Sequence, residues 1–465
     1  MNQLNLSRRL KRGGLIAAAL ALGTLAAGAV AVADADPTAK AVATTSDFDG
    51  DGKNDLVMQG SRPDSGEASV MVDYTSKLAS KELYPSDAYG TQGFGVGLAT
   101  GDLNGDGFDD LAVGCEQCDW EWSGATVSIF NGSSDGLKAD STVDTEIGSP
   151  QDAVAIGELN GAKGLDVAST NQGSGAVVSS KGDDYWGDKH YDTKLPTDDE
   201  YPIGAVAIGD VTGDGKPDLV LGSPTHSGGA VTVFPGPVDE GNSQTVKASD
   251  LGGTIGDFGA ALAVADFTGD GKADILVGAP NSSTDTVACG AAVVLRGSAS
   301  GISAKASQVI DQDTPGVPGV CESGDGFGAS VAAGDLTGDG KPEAVVGVPN
   351  EGIDGHVLVG DYIELPHSPS GLTGTGSFGV SQKTTNVPGT VEARDYFSYA
   401  LSIQDINLDG RADVLIGAPG EDVGSAKDAG LVTRLFSDSH GKPTSNSNDV
   451  DGTTYDVEDL GLELP

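Results

Sequence analysis

Gly101-Asp-Leu-Asn-Gly-Asp-Gly-Phe-Asp-Asp-Leu-Ala-Val-Gly114 sets acidic or amide side chains on alternate positions, turns on glycine and then runs into an apolar segment. Carboxylates crowded this closely repel one another, while the segment beside them belongs in a core. A doubly charged cation lying between the side chains resolves the conflict. Calcium takes about six to eight oxygens, and a tight loop supplies them from side chains at positions 1, 3, 5 and 9 and from the main-chain carbonyl at position 7. Glycine at position 6 allows the sharp turn. Here those ligands are Asp102, Asn104, Asp106, the carbonyl of Phe108, and Asp110.

The same unit recurs along the chain. It gives Asp47, Asp49, Asp51, Lys53 and Asp55, then Asp210, Thr212, Asp214, Lys216 and Asp218, then Asp266, Thr268, Asp270, Lys272 and Asp274. Two further copies hold Asp335, Thr337, Asp339, Lys341 and Glu343, and Asp405, Asn407, Asp409, Arg411 and Asp413, with position 7 again contributing only its carbonyl. A decayed copy runs from Glu158 to Asp166, where Ala162 removes a central ligand and Lys163 brings a competing positive charge. The pattern therefore predicts about six Ca2+ sites. Metal-free Asx turns use the same residue types and form the plainer alternative. A helical EF-hand would close with Glu at position 12, but Met58, Val113, Leu221, Val277, Val346 and Ile416 stand there, so the loop joins two strands.

Copies begin 52 to 70 residues apart, the length of one four-stranded propeller blade with its loops. Before four of the loops, segments opening Phe94-Gly, Phe258-Gly, Phe327-Gly and Phe397-Ser alternate large and small residues, as an innermost strand does. After the loops come runs closed by Gly and Pro, such as Asp274-Ile-Leu-Val-Gly-Ala-Pro280, and then a third strand such as Gly290-Ala-Ala-Val-Val-Leu295. The expected fold is all-β: a seven-bladed β-propeller of four-stranded antiparallel blades with calcium-binding hairpin loops, spanning 34–465. Blade boundaries fall near 39–91, 92–149, 150–200, 201–255, 256–324, 325–394 and 395–465. The chain is expected to begin in the inner strand of the first blade and to finish near Thr453 to Leu460 as an outer strand of the last, without strand exchange.

Phe-Gly, an Asp-rich loop and Gly-Ala-Pro at fixed offsets resemble the FG-GAP repeat family, the propeller of integrin alpha subunits and its bacterial secreted relatives. Two positions depart from it, with Ala39-Lys40 in blade one and Pro150-Gln151 in blade three where Phe-Gly is due. No inserted adhesion domain interrupts the blades. The resemblance implies a ligand on the face opposite the calcium loops, which is also where chain direction puts the connections from strand two to three and from strand four to the next blade.

That face gathers the remaining candidates. Cys289 and Cys321 fall in its loops, so a disulfide between them is sterically allowed, with Cys115 and Cys118 as a local clip; four cysteines permit three pairings. Trp120, Trp122, Tyr201, His226, Arg394 and Tyr396 are placed there as ligand contacts, beside Tyr84 and Tyr89. The plainer reading is that they cap the blade ends.

Charge excludes some partners. With 26 Lys+Arg against 69 Asp+Glu the formal net charge is -43, which repels nucleic acid. Arg8, Arg9, Lys11 and Arg12 ahead of an apolar stretch and Ala31-Val-Ala33 read as an export signal over 1–33, by the general or the twin-arginine route. No later segment has the length of a membrane span. The reading is a secreted, monomeric, non-catalytic binding or adhesion module for an extracellular protein or carbohydrate. The rival is a polysaccharide lyase or hydrolase, weakened because none of the five His sits with a nucleophile in a recognisable motif.

Overall fold

A computed structural model describes residues 46–465 apart from 64, 77, 85–91, 118–125, 145–152, 162–163, 172–174, 182–185, 188–202, 226–227, 240 and 284–286. The export segment and the Ala39-Lys40 and Pro150-Gln151 departures lie outside those residues. The described chain is all-β. Seven antiparallel sheets follow one another in sequence, the first of three strands and the others of four, with one small hairpin pairing His367–Ser368 with Gly371–Leu372. Among the described residues helix is confined to single turns at 248–250, 304–306 and Gly452–Tyr455. No described helix is long and apolar enough to cross a membrane.

The fifth sheet shows the plan. Ala261–Ala265, Asp274–Ala279, Ala291–Leu295 and Gln308–Ile310 form a meander in strand order, and the Asp loop joins the first two strands. Its second strand is buried throughout, because sheets cover both of its faces. First strands of successive sheets pack side by side through small residues. Gly209 receives Val264 of the next sheet, and Gly334 receives Ile403.

The repeated motifs meet between sheets. A Cβ on Gly278, in the Gly-Ala-Pro of the fifth sheet, would collide with the carbonyl oxygen of Gly328, in the Phe-Gly of the sixth. Gly417 stands in the same relation to Gly461. Each sheet thus seats the start of the next on a surface that only glycine leaves open.

Two expectations need correction. Phe258, Phe327 and Phe397 do not open their strands. They lie in turns before Ala261, Val331 and Ala400, fully buried, next to left-handed residues such as Asp257, Gly259 and Ser398. Only in the second sheet does the strand, Gln92–Gly101, include its Phe, with a bulge between Phe94 and Leu98. An alternating pattern reads the same whether it is paired or curled in a turn.

The second correction concerns the chain's end. The fourth strand of the seventh sheet, Asn448–Asp451, is not the last paired segment. Residues 458–463 continue onto the first sheet, along the free edge of Leu56–Ser61. Ser61 and Glu458 exchange backbone bonds of 2.8 and 2.7 Å, Gly461 donates to the Gln59 carbonyl at 2.9 Å, and Gln59 donates to that of Glu463 at 3.1 Å. Leu460 bridges Gly430 just as Phe327 bridges Gly290. Leu460-Gly461 therefore occupies the Phe-Gly position for the first sheet, whose described strands are one short. Arg434 Nη2 to Asp73 Oδ2 at 2.6 Å and Asn54 Nδ2 to the Asp405 carbonyl at 2.9 Å tie the same two sheets.

Candidate functional site

All six Asp loops fold alike. The position 1 carboxylate accepts from the backbone N–H groups of positions 5 and 6: Asp102 takes Asp106 at 3.1 Å and Gly107 at 2.9 Å, and Asp210 takes Asp214 at 3.0 Å and Gly215 at 2.8 Å. Position 6 is glycine in every copy, with φ between +83° and +90°. Position 4 is also left-handed, and there the seventh sheet has Leu408 at φ 58° where the other loops have glycine. A side chain in that conformation costs about 1–2 kcal/mol. Leu408 is also half-exposed, so it gains little by burial. Leu408→Gly is expected to raise stability by about 1 kcal/mol, read as a higher urea midpoint at unchanged slope; a lower midpoint would refute the strain.

Position 9 does two jobs. One oxygen of Asp110 accepts from Leu103 at 2.9 Å and Asn104 at 3.2 Å, and the other from Gly132 at 2.9 Å, past the end of the third strand. Asp55 reaches Thr75, Asp218 reaches Gly236, Asp274 reaches Gly297 and Asp413 reaches Ser437 in the same way. Even in the decayed copy Asp166 accepts from Leu159 at 2.7 Å and Asn160 at 3.0 Å. Retention of this residue after the central ligand is gone follows from that anchoring role.

These carboxylates are buried among other acids. Burial, with neighbouring aspartates adding to it, pushes Asp110, Asp218 and Asp274 up to about 6 and Asp55 and Asp413 up to about 7, against the hydrogen bonds that pull them down. Asp49 Oδ2 is buried without a partner, and one oxygen each from Asp47, Asp49 and Asp55 lie within 4.8 Å of one another. Hard oxygens of this number and spacing fit calcium.

The opposite face is partly described. Cys289 and Cys321 are disulfide-bonded with Cα atoms 5.3 Å apart, and Cys115 is buried and disulfide-bonded. Cys118, Trp120, Trp122, Tyr201, His226 and Tyr89 lie outside the described residues. Arg394 is exposed there, its N–H bonded to the Val357 carbonyl at 3.1 Å, whereas Tyr396 is 8% exposed and so acts as packing. Tyr84 stacks under Arg62, 4.3 Å from its ring centre.

Sequence reasoning missed two carboxylate pairs on this face. Asp325, held by the Glu322 N–H at 2.6 Å, neighbours Glu351, which accepts from Gln312 Nε2 at 2.9 Å. Asp395, Glu421 and Gln382 repeat the arrangement one sheet on. Burial and mutual repulsion raise Asp325, Asp395 and Glu421 to about 7. The signal was present as Glu-x-x-Asp before each Phe, at 322–325 and 392–395.

The FG-GAP repeat profile matches residues 204–234, 258–294, 327–361 and 397–433, and the FG-GAP-like repeat profile matches 47–113. The chain is an FG-GAP repeat protein. Among curated relatives of these FG-GAP repeats, integrin alpha pat-2 of Caenorhabditis briggsae is 30% identical over 252 residues, 52% of this chain and 18% of that one. Integrin alpha-5 of Xenopus laevis is 28% identical over 55% of this chain and 23% of its own length. Phosphatidylinositol-glycan-specific phospholipase D of Bos taurus is 28% identical over 46% of this chain and 26% of its own. The FG-GAP chain thus spans about a quarter or less of each of these relatives. A rhamnogalacturonan lyase of Bacillus licheniformis aligns over 92% of this chain and 69% of its own at 12% identity and TM-score 0.34, a likeness too weak to argue from.

Proposed function

We propose that the chain is a calcium-stabilised, seven-bladed β-propeller acting as a secreted, non-catalytic binding or adhesion module for an extracellular protein or glycan. The observation that carries this is the difference between its faces. One is taken up by Asp loops. Of the four large apolar side chains exposed among the described residues, Val287, Val320 and Val357 stand in loops of the other face, at 36, 69 and 62% exposure. Exposed valines beside a disulfide suit contact with a partner that carries apolar groups. The integrin alpha relatives support the adhesive reading for the segments they match. In this proposal the Asp loops hold metal, calcium wherever the ligands are all oxygen, through positions 1, 3, 5 and 9 and the position 7 carbonyl, and the ion would supply charge neutralisation between them.

The test is binding to a glycan array and a panel of extracellular matrix proteins in millimolar Ca2+. A ligand on this face should be held at least tenfold less tightly by Val320→Ser/Val357→Ser and by Trp120→Ala/Trp122→Ala, at unchanged melting temperature. Binding indifferent to both variants would move the ligand elsewhere. Release of new sugar ends from a polysaccharide would replace the proposal with a lyase or hydrolase.

A further inference from the structure

The Asp loop of the sixth sheet differs from the other five in a way that changes the metal it suits. Its position 9 is Glu343, one methylene longer than Asp. Glu343 Oε2 accepts from Leu336 at 3.0 Å and Thr337 at 3.3 Å, as the other anchors do. Its second oxygen meets no backbone N–H past the third strand. The residue in the place of Gly132, Gly236, Gly297 and Ser437 is His367, and it turns its imidazole inward, Nδ1 standing 3.2 Å from Glu343 Oε1. Nε2 lies 3.9 Å from Asp339 Oδ2. One ligand atom each from Asp339, Glu343 and His367 fall within 4.8 Å of one another.

That spacing suits shared coordination as well as a hydrogen bond: two donors of one ion at bond lengths near 2.1 Å stand roughly 3.0 to 3.4 Å apart. The side chain present in this loop and in none of the other five is an imidazole, a donor that zinc and its first-row neighbours accept and calcium does not favour.

We propose that the Asp loop of the sixth sheet is a mixed nitrogen and oxygen site, with Asp339, Glu343 and His367 as ligands, selective for a first-row divalent metal of the zinc class over calcium. The inference deepens the reading of the Asp loops as metal sites and rests on it for this one loop. His367 fixes the selectivity, and the carboxylates supply the charge.

The test uses the full chain, stripped with chelator and resupplied with millimolar Ca2+. Zinc titrated into it should bind at one equivalent per chain with micromolar affinity, and Co2+ in its place should give visible absorption bands. His367→Gln should weaken zinc at least tenfold, while His356→Gln and His440→Gln, both exposed, leave it unchanged. X-ray absorption on the zinc-loaded wild-type chain should show a single imidazole, which keeps the proposal testable if the variant misfolds. Zinc bound equally by His367→Gln, an all-oxygen shell, or no zinc in the presence of calcium would overturn it. Calcium counted in the other loops without zinc at this one sinks the inference alone; zinc here without calcium elsewhere sinks the calcium reading instead.

Discussion

Deleting residues 457–465 is expected to leave a chain that cannot hold its fold. The deletion removes Val457, Leu460 and Leu464, all at most 4% exposed, which pack with Leu56, Met58, Met71, Leu415 and Val432 across the seam between the last sheet and the first. At about 2 kcal/mol for each buried side chain the loss is roughly 6 kcal/mol, and the backbone bonds to Gln59 and Ser61 go with it. That is comparable with the net stability of a whole domain. The exposed edge of Leu56–Ser61 would also be open to pairing with other chains. Urea unfolding and size-exclusion chromatography should show a collapsed midpoint and aggregates. Leu460→Ala alone should cost about 2–5 kcal/mol, and adding the missing segment as a peptide should recover part of the loss. A truncated chain that melts where the full one does would show that the sheets hold without this seam.

That seam was the least legible part of the fold, for a physical reason. The motif needs an apolar side chain that fills the space under the preceding sheet's third-strand glycine, and a glycine after it that tolerates the close approach. Leu460-Gly461 meets both needs, but a pattern anchored on an aromatic passes over it. The backbone turn of the Asp loops was legible because two positions dictate their residues: the left-handed position 6 takes glycine in all six loops, and an anchor shared by three N–H groups demands a carboxylate. His367 was invisible because it lies 24 residues beyond Glu343, and only the pairing of strands two and three brings it back. The Asp325–Glu351 and Asp395–Glu421 pairs were half visible: Glu-x-x-Asp before each Phe marked Asp325 and Asp395, while Glu351 and Glu421 read as ordinary loop acids until the sheets were packed.

Chelation should lower the melting temperature by roughly 10 °C, and the fall should deepen as pH rises. At tenfold excess over the dissociation constant one site contributes about 1.4 kcal/mol, and six together about 8 kcal/mol, which for a chain this long corresponds to about 1 °C per kcal/mol. The pH dependence comes from the anchors. In the metal-free chain burial raises Asp110, Asp218 and Asp274 to about 6 and Asp55 and Asp413 to about 7. A carboxyl raised above its unfolded value contributes stability that is complete below pH 4 and lost as pH climbs through the folded value. At about 1.4 kcal/mol per pH unit of displacement, full charge costs the metal-free fold about 3 kcal/mol at an aspartate raised to about 6 and about 4 kcal/mol at one raised to about 7. With chelator present the melting temperature should therefore decline from about pH 4, most steeply near pH 5, and level off above about pH 7. Saturating Ca2+ opposes the decline, because the ion binds the charged form and competes with the protons. Scanning calorimetry at pH 5, 6, 7 and 8, with and without Ca2+, should show the two curves close at pH 5 and widely separated at pH 8. Curves that coincide at every pH would mean that the loops are metal-free Asx turns, and curves separated by a constant amount would mean that the anchoring aspartates do not take part in binding the ion.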